Sequence, residues 1–434
     1  MRLSKTLPYA VLMAIPRTPV SYAAYVAMPA LMVNWLARQT WMRAGFLVLF
    51  LCGSLAINML MGMQISITAF ALELALILPF FAAALGFRTS RHFDGRSFIR
   101  ILNVIVFATS MVSLIQMGFP WRVPYIHYLP DFFNGGFGRG GAKIVTIIGF
   151  FGLAEILSRR GRLRLRDMWF LAFALANFVV PNFILGMVAG FAALAIFARR
   201  NQAVLFAGAA LLMVVAPYLQ FRAETKNDSF AQTYGTNPKL YAFKLVGELY
   251  LREPQTLFVG AGLGQFSSQP AIWSSPVNNV WGAHDTPDLP GLHAGEAHMN
   301  HLAPTMLRFQ NNRFAIESSA NKPFSGLSTM LAELGLPVTL LILYSAYLVL
   351  WRRSGSDFGR TAFIFLLAMN VLDPQMDSPW FGALMLSVCQ ALAADARRRR
   401  SLPAPSHSRE SGIFLPSPQP ARVLPKPALS GEPG

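Results

Sequence analysis

The chain has 434 residues, of which 54% are hydrophobic and 13% charged, and its formal net charge is +17. A soluble domain of this length cannot bury so much apolar surface in one core. The composition therefore excludes a soluble globular protein and indicates an all-α polytopic membrane protein. The positive charge does not indicate nucleic-acid binding, because no stripe of interleaved aromatic and basic residues accompanies it.

About eleven apolar segments are predicted to cross a membrane as helices. A run of about 17 to 25 apolar residues spans a bilayer as a helix, because its backbone polar groups are then satisfied within the segment. The segments lie near residues 20–36, 45–61, 65–87, 98–118, 144–157, 168–181, 182–198, 204–219, 326–351, 361–372 and 379–394.

The distribution of Lys and Arg among the short loops predicts the orientation, because basic loops stay on the cytoplasmic side. Six basic loops fall on one side, within residues 38–43, 88–96, 159–166, 199–200, 352–353 and 397–400. The intervening turns 62–64, 181–184 and 373–378 have no Lys or Arg. The basic loops and the C-terminus are therefore predicted to be cytoplasmic. Arg2, Lys5 and Arg17 fit only with an in-plane helix at residues 7–15 or one more span, and both alternatives stay open.

The chain divides into four predicted parts. Residues 1–219 form a membrane bundle of about eight spans, and residues 220–325 form a large polar loop on the extracytoplasmic side. Residues 326–396 add about three spans, and residues 397–434, which are rich in Pro and Ser, are predicted to be a disordered cytoplasmic tail. Cys52 and Cys389 both fall inside spans, where buried apolar residues are expected rather than a disulfide or a metal pair.

The large loop contains two recognisable patterns. From Asn237 the apolar residues have roughly helical spacing, which predicts a helix that lies along the membrane surface or packs on the bundle. Gly260, Gly262 and Gly264 then alternate in LFVGAGLGQFSS. Because no strand and helix framework for a nucleotide surrounds them, these glycines are predicted to form a tight turn where backbones approach closely.

A group of histidines follows in HAGEAHMNH, where His293, Glu296, His298 and His301 lie close together in the sequence. Their spacing lacks the HExxH order of a zinc site on a helix, so no metal and no other cofactor is predicted.

Glu333 lies one or two turns inside the apolar segment that follows the loop. An acidic group at this position is costly unless it is paired or faces water, so Glu333 is a functional candidate. The alternative is a pairing that only joins two helices.

Three of these segments, in this order, resemble the O-antigen polymerase and ligase family, the Wzy and WaaL type of bacterial membrane glycosyltransferase. They are a surface helix with Lys239 four residues before Phe243, the glycine turn followed by Phe266, and the motif PFSGLSTMLAELGLPV. Pro323 stands where the family usually has His, and Lys239 where Arg is usual. The segment GGFGRGGAK around Arg139 is similar to the family's Arg-containing loop, without the Glu-Pro-Ser stretch. Such departures resemble the branch that polymerises exopolysaccharide or capsule repeats.

The resemblance implies a GT-C-like, metal-independent enzyme of the bacterial inner membrane, with the large loop in the periplasm. It implies transfer of a glycan from an undecaprenyl diphosphate carrier to another lipid-linked repeat. A chain-length regulator and export machinery are the expected partners, in addition to the lipid-linked oligosaccharides and the bilayer. A ligase with the same donor is a close alternative. A flippase or secondary transporter is an alternative from another class, and a non-catalytic scaffold is a third.

The residue roles follow from the needs of this reaction. Arg139 is expected to hold the diphosphate and Glu333 to take the proton of the acceptor hydroxyl. The predicted substrate-binding residues are Arg122, Lys239, Arg313, Lys322 and His301. Gly260, Gly262 and Gly264 have a structural role.

Overall fold

The computed structural model describes residues 36–89, 94–116, 141–160, 192–193, 196, 233–275, 289–308, 324–372 and 376–401. Within these ranges the regular structure is helical, apart from one isolated antiparallel bridge between Leu36 and Thr89. We number the helices α1 Trp41–Leu60, α2 Ile67–Ala84, α3 Gly95–Gln116, α4 Gly141–Arg160, α5 Pro238–Arg252, α6 Thr256–Val259, α7 Gln269–Trp273, α8 Ala303–Arg308, α9 Gly326–Ala346, α10 Asp357–Leu372 and α11 Pro379–Ser401. A 3-10 turn, Arg38–Thr40, precedes α1, and π-helical turns occur at His298–Leu302 and Tyr347–Arg352.

Three of the described helices are long and apolar enough to cross a membrane. They cover Arg38–Leu60, Ile67–Ala84 and Gly326–Arg352, and a shorter apolar stretch, Ile147–Ile156, lies in α4. The helical fold class and the presence of membrane-length helices are therefore confirmed. The count of about eleven spans and the GT-C-like arrangement stay predictions, since the spans proposed before residue 36 and between residues 168 and 219 lie almost wholly outside the described residues.

Side-chain caps fix where the helices of the site begin. The Ser66 hydroxyl accepts a hydrogen bond from the Ala69 N–H at the start of α2. Ser325 and Ser328 exchange bonds in a capping box at the start of α9, and the Asn237 side chain caps α5. Each cap satisfies an N–H group that has no partner within its helix.

Helices α1 and α2 run in opposite directions, with basic residues at one end and the polar loop at the other. At one end the Ala37 N–H donates to the Arg88 carbonyl at 2.7 Å, which brings together two of the basic loops. At the other end the Gln64 N–H donates to Glu296 Oε2 at 2.9 Å. The Ser66 N–H donates to Gln265 Oε1 at the same distance. The polar loop therefore packs at the end opposite to the basic residues.

The same separation appears in α3, α4 and α11. Arg96 forms ion pairs with the buried Glu155 at 3.5 Å and with Asp395, while Arg100 Nη2 lies 3.6 Å from Glu155. This cluster joins the three helices at their basic ends. The contacts agree with the predicted grouping of basic loops on one face, while the side of the membrane stays a prediction.

The apolar interior forms two clusters. The larger one lies among α2, α3, α4, α9, α10 and α11, where the rings of Phe150 and Phe365 stack with centroids 4.3 Å apart. The smaller one lies in the polar loop and includes Leu245, Leu249 and Phe266. The loop segments around α5 thus have a core of their own, which also includes Phe324 and Ala332 and so packs against the start of α9.

The remaining predictions concern the cysteines and the tail. Cys52 and Cys389 are both free, as expected, but Cys52 is exposed on α1, so the prediction that it is buried is wrong. Helix α11 continues to Ser401, so residues 397–401, the start of the predicted disordered tail, are helical, and residues 402–434 lie outside the described residues.

Candidate functional site

The site is built around an interruption in α9. Gly335 has φ +76° and ψ 168°, and Pro337 follows it, so the regular hydrogen-bond ladder of the helix stops here. The Glu333 carbonyl would normally accept from the N–H of residue 337, which proline does not have. The Ala332 and Glu333 carbonyls therefore need donors from elsewhere in the chain.

These donors come from the segment between α6 and α7, residues 260–268, which we call the glycine loop. The Ala261 N–H donates to the Ala332 carbonyl at 2.7 Å, and the Gly262 N–H donates to the Glu333 carbonyl at 3.1 Å. Two carbonyls left over at the interruption of α9 are thus satisfied, and the loop is fixed beside the helix.

The close approach requires glycine. Gly260, Gly262 and Gly264 have φ angles of +71°, +98° and +77°, a region that residues with a side chain rarely adopt. A Cβ at Gly260 would lie 2.2 Å from the Glu333 carbonyl oxygen. A Cβ at Gly264 would lie 2.4 Å from the Ala69 carbonyl oxygen. The loop is therefore a tight turn between α9 and α2.

The Glu333 carboxylate lies inside the same loop. The Gly264 N–H donates to Oε2 at 2.8 Å, and the N–H groups of Phe266, Ser267 and Ser268 donate to Oε1 at 3.0 Å each. The residue is only 2% exposed. Both oxygens are thus occupied by the chain's own donors. These contacts join two elements, whereas a base requires an oxygen that faces the acceptor.

Lys239 and Tyr250 attach α5 to the first part of α9. Lys239 Nζ donates to the Phe324 carbonyl at 2.8 Å and lies 6.0 Å from the centre of the Phe324 ring. The Tyr250 hydroxyl donates to the Leu331 carbonyl at 2.7 Å. Burial raises the pKa of Tyr250 to about 12, so this phenol keeps its proton and remains a donor.

His298 and His301 lie in the π-helical turn that packs on α5. His298 Nδ1 donates to the Phe266 carbonyl at 2.6 Å, and burial lowers the pKa of His298 to about 4, which keeps the imidazole neutral. His301 is also buried, with Nε2 3.7 Å from Glu253 Oε1. In the part of the chain that the structure describes, no group of three or more His, Cys, Asp or Glu residues is placed to hold a metal ion.

Two buried acids near the glycine loop were not recognised from the sequence. Glu73 in α2 is 0% exposed, and Asp377, in the turn before α11, accepts the Gln269 N–H at 2.7 Å. For Glu73, the signal in the sequence is a single acid within the apolar run ALELALILPFF. It is the same signal that pointed to Glu333.

The predicted site residues are thus partly located. The first half of α9 and the residues just before it bring together Lys239, Glu333 and the three glycines. His301 lies beside Glu253, which directly follows α5. The other predicted residues, Arg122, Arg139, Arg313 and Lys322, lie outside the described residues.

Comparison of the chain with protein-family models, curated proteins and solved structures finds no match. The relation to the O-antigen polymerase and ligase family therefore rests on the order and identity of the three segments described above. The fold adds the contacts among these segments, and family membership stays a proposal.

Proposed function

We propose that the chain is a polysaccharide polymerase of a bacterial inner membrane. It transfers a glycan from an undecaprenyl diphosphate carrier to the terminal sugar of another lipid-linked repeat, on the periplasmic face. The observation that supports this proposal is that the surface helix and the glycine turn, two of the segments that resemble the family, both contact the third, which lies more than 60 residues further along the chain.

Each of these contacts joins two positions of the resemblance. Lys239, from the surface helix, bonds to Phe324, from the motif PFSGLSTMLAELGLPV. Glu333, from the same motif, accepts N–H groups of the glycine turn and of Phe266. A chance likeness of short motifs would give no reason for their residues to recognise one another. The contacts therefore favour one structural unit, as the family resemblance implies.

The reaction needs cations for the leaving group and a proton acceptor for the nucleophile. The acceptor hydroxyl gives its proton to water at the periplasmic face and bonds to the anomeric carbon, while the bond from that carbon to the diphosphate oxygen breaks and the electron pair leaves with the diphosphate. Arg139 is proposed to hold the diphosphate, because a guanidinium stays charged and offers two parallel donors. Arg122, Arg313 and Lys322 are proposed to bind the rest of the donor and the acceptor.

Glu333 and Lys239 are assigned to positioning within this proposal. The two oxygens of Glu333 already accept four N–H groups, and Lys239 Nζ already donates to a backbone carbonyl. Both residues hold the glycine loop and α5 beside the first half of α9. For both residues we propose that they support the glycine loop and α5, instead of contacting the substrate as the sequence predicts.

A transporter of lipid-linked glycans is a second candidate, favoured by two features. Glu73 is a buried acid in a membrane-length helix, and α9 is interrupted at Gly335. Both features occur at the binding sites of secondary transporters. However, the carbonyls exposed by the interruption are already bonded to the glycine loop, so they are not available to coordinate an ion or a substrate.

The glycans that accumulate in a deletion strain separate the candidates. Single repeats on the carrier at the periplasmic face indicate a polymerase, and long carrier-linked chains indicate a ligase. Repeats that stay on the cytoplasmic face indicate a transporter.

The variant Arg139→Ala should lose polymer while the protein level in the membrane stays that of the wild type. The matched control is Lys244→Ala, which removes an exposed cation on α5 and should leave polymer unchanged. Full-length polymer from Arg139→Ala would refute the assignment of this residue.

A further inference from the structure

Glu73 is the ionisable group that the described fold explains least. It lies inside α2, between the cap residue Ser66 and Pro79, in a helix of membrane length. The residue is 0% exposed, and no described residue forms a hydrogen bond with either oxygen of its carboxyl group. By contrast, Glu333 has four donors close by.

The charged groups that act on Glu73 are themselves acidic. They are Asp377, from the turn before α11, and Glu333, from α9. Helix α7, which also packs against α2, has the sequence QPAIW and provides no ionisable side chain. Among the described residues, no Lys, Arg or His side chain forms an ion pair with Glu73.

An ionised carboxylate is poorly stabilised in such a place. A buried charge is tolerated when hydrogen bonds or an opposite charge replace the water that it has lost. The described part of the chain gives Glu73 neither, and two further acids act on it. An apolar residue of similar size would avoid this cost entirely, so a glutamate here is consistent with binding something positive.

We propose that Glu73 and Asp377 form a buried site for one positive charge, either a proton or a monovalent cation. One charge is sufficient, because Glu333 and Asp377 already accept backbone N–H groups, whereas no donor for Glu73 occurs among the described residues. A divalent metal ion is not indicated, since the described residues hold no cluster of ligands for one. The site lies beside the glycine loop and does not depend on the proposed polymerase activity.

A thermal unfolding experiment on the purified full-length protein tests the site. The unfolding temperature is measured from acidic to alkaline pH, with either sodium or choline as the only monovalent cation. In the wild type we expect it to fall by several degrees as the pH rises in choline, because removal of the proton leaves Glu73 charged and unpaired. A smaller fall of the unfolding temperature in sodium than in choline would identify a cation site. An equal fall in the two buffers would identify a proton site.

Glu73→Gln keeps the shape of the side chain and cannot ionise. This variant should lose the part of the pH or sodium dependence that Glu73 causes. The matched control is Glu248→Gln, a partly exposed surface acid that should behave as the wild type does. If Glu73→Gln retains the full wild-type dependence on pH and on sodium, the proposal is overturned.

Labelling of the wild type decides the question if Glu73→Gln does not fold. Dicyclohexylcarbodiimide is an apolar reagent that modifies protonated carboxyl groups in membranes, and mass spectrometry of peptides locates the product. We expect modification of Glu73 that decreases as the pH rises or as sodium replaces choline. If Glu73 stays unmodified in every buffer, the site is refuted. Neither readout requires glycan transfer, so a failure of the site and a failure of the proposed function are distinguishable.

Discussion

Replacement of Glu333 is the sharpest test of how the site is built. Glu333→Ala would remove the acceptor of four buried N–H groups, from Gly264, Phe266, Ser267 and Ser268. A buried donor left without a partner costs about 1–3 kcal/mol, so the four together cost about 4–12 kcal/mol. This is comparable to the total stability of a typical domain, about 5–15 kcal/mol. We therefore expect Glu333→Ala not to accumulate as folded protein.

Glu333→Gln is the more informative variant. Its single oxygen can take the place of Oε1 and accept from Phe266, Ser267 and Ser268, while its amide group would face the Gly264 N–H. One acceptor is lost, at a cost of about 1–3 kcal/mol, and the loss of charge weakens the other three bonds. The protein should fold, with an unfolding temperature clearly below that of the wild type.

Two measurements on the same preparation separate positioning from catalysis. The first is thermal unfolding in detergent, followed by tryptophan fluorescence, and the second is polymer formed from lipid-linked repeats per folded molecule. If Glu333 positions the loop, Glu333→Gln should lower the unfolding temperature and retain much of its activity. Removal of a general base instead costs about 10²–10⁴-fold in rate without requiring any loss of stability.

The matched control is Glu248→Gln on α5. The side chain of Glu248 is 39% exposed, and its Oε1 lies 3.9 Å from Lys244 Nζ, one helical turn away. Its replacement should therefore change the free energy of unfolding by less than about 0.5 kcal/mol. The positioning role would be refuted by a Glu333→Gln protein that unfolds at the wild-type temperature and makes no polymer. That result would restore Glu333 as the base.

Two further predictions concern the glycine loop and His298. Gly260→Ala should destabilise the protein strongly, because the new Cβ would lie 2.2 Å from the Glu333 carbonyl oxygen. The control is Gly247→Ala in α5, which has open space around it and should stabilise the protein by up to about 1 kcal/mol. Equal shifts of the unfolding temperature would contradict this account of the loop. Burial lowers the pKa of His298 from 6.5 to about 4, so as the pH falls the unfolded chain binds the proton before the folded protein does. The free energy of unfolding should therefore decrease by about 3 kcal/mol as the pH falls from 6.5 to about 4. His298→Asn should remove that part of the acid sensitivity in titrations of unfolding, and an unchanged acid sensitivity would show that His298 is not its source.

The amino-acid sequence determines the helical character of the protein and the grouping of its charges. Apolar segments of membrane length form helices because their backbone polar groups need partners within the segment, and the described part of the chain contains three such helices. Basic residues near Arg88 and Arg96 mark one end of the bundle, and the polar loop packs at the other. The alternating glycines also predict the tight turn that the loop forms.

The partners of the buried acids depend instead on the three-dimensional fold. Glu333 and Glu73 have the same signature in the sequence, one acid within an apolar segment. In the fold, Glu333 accepts four N–H groups from a loop more than 60 residues away, whereas Glu73 accepts none from the residues that the structure describes. The cost of placing a carboxylate in an apolar segment is a local property that composition reveals. Whether donors compensate that cost is fixed by how distant backbone segments pack, and local sequence does not contain that information.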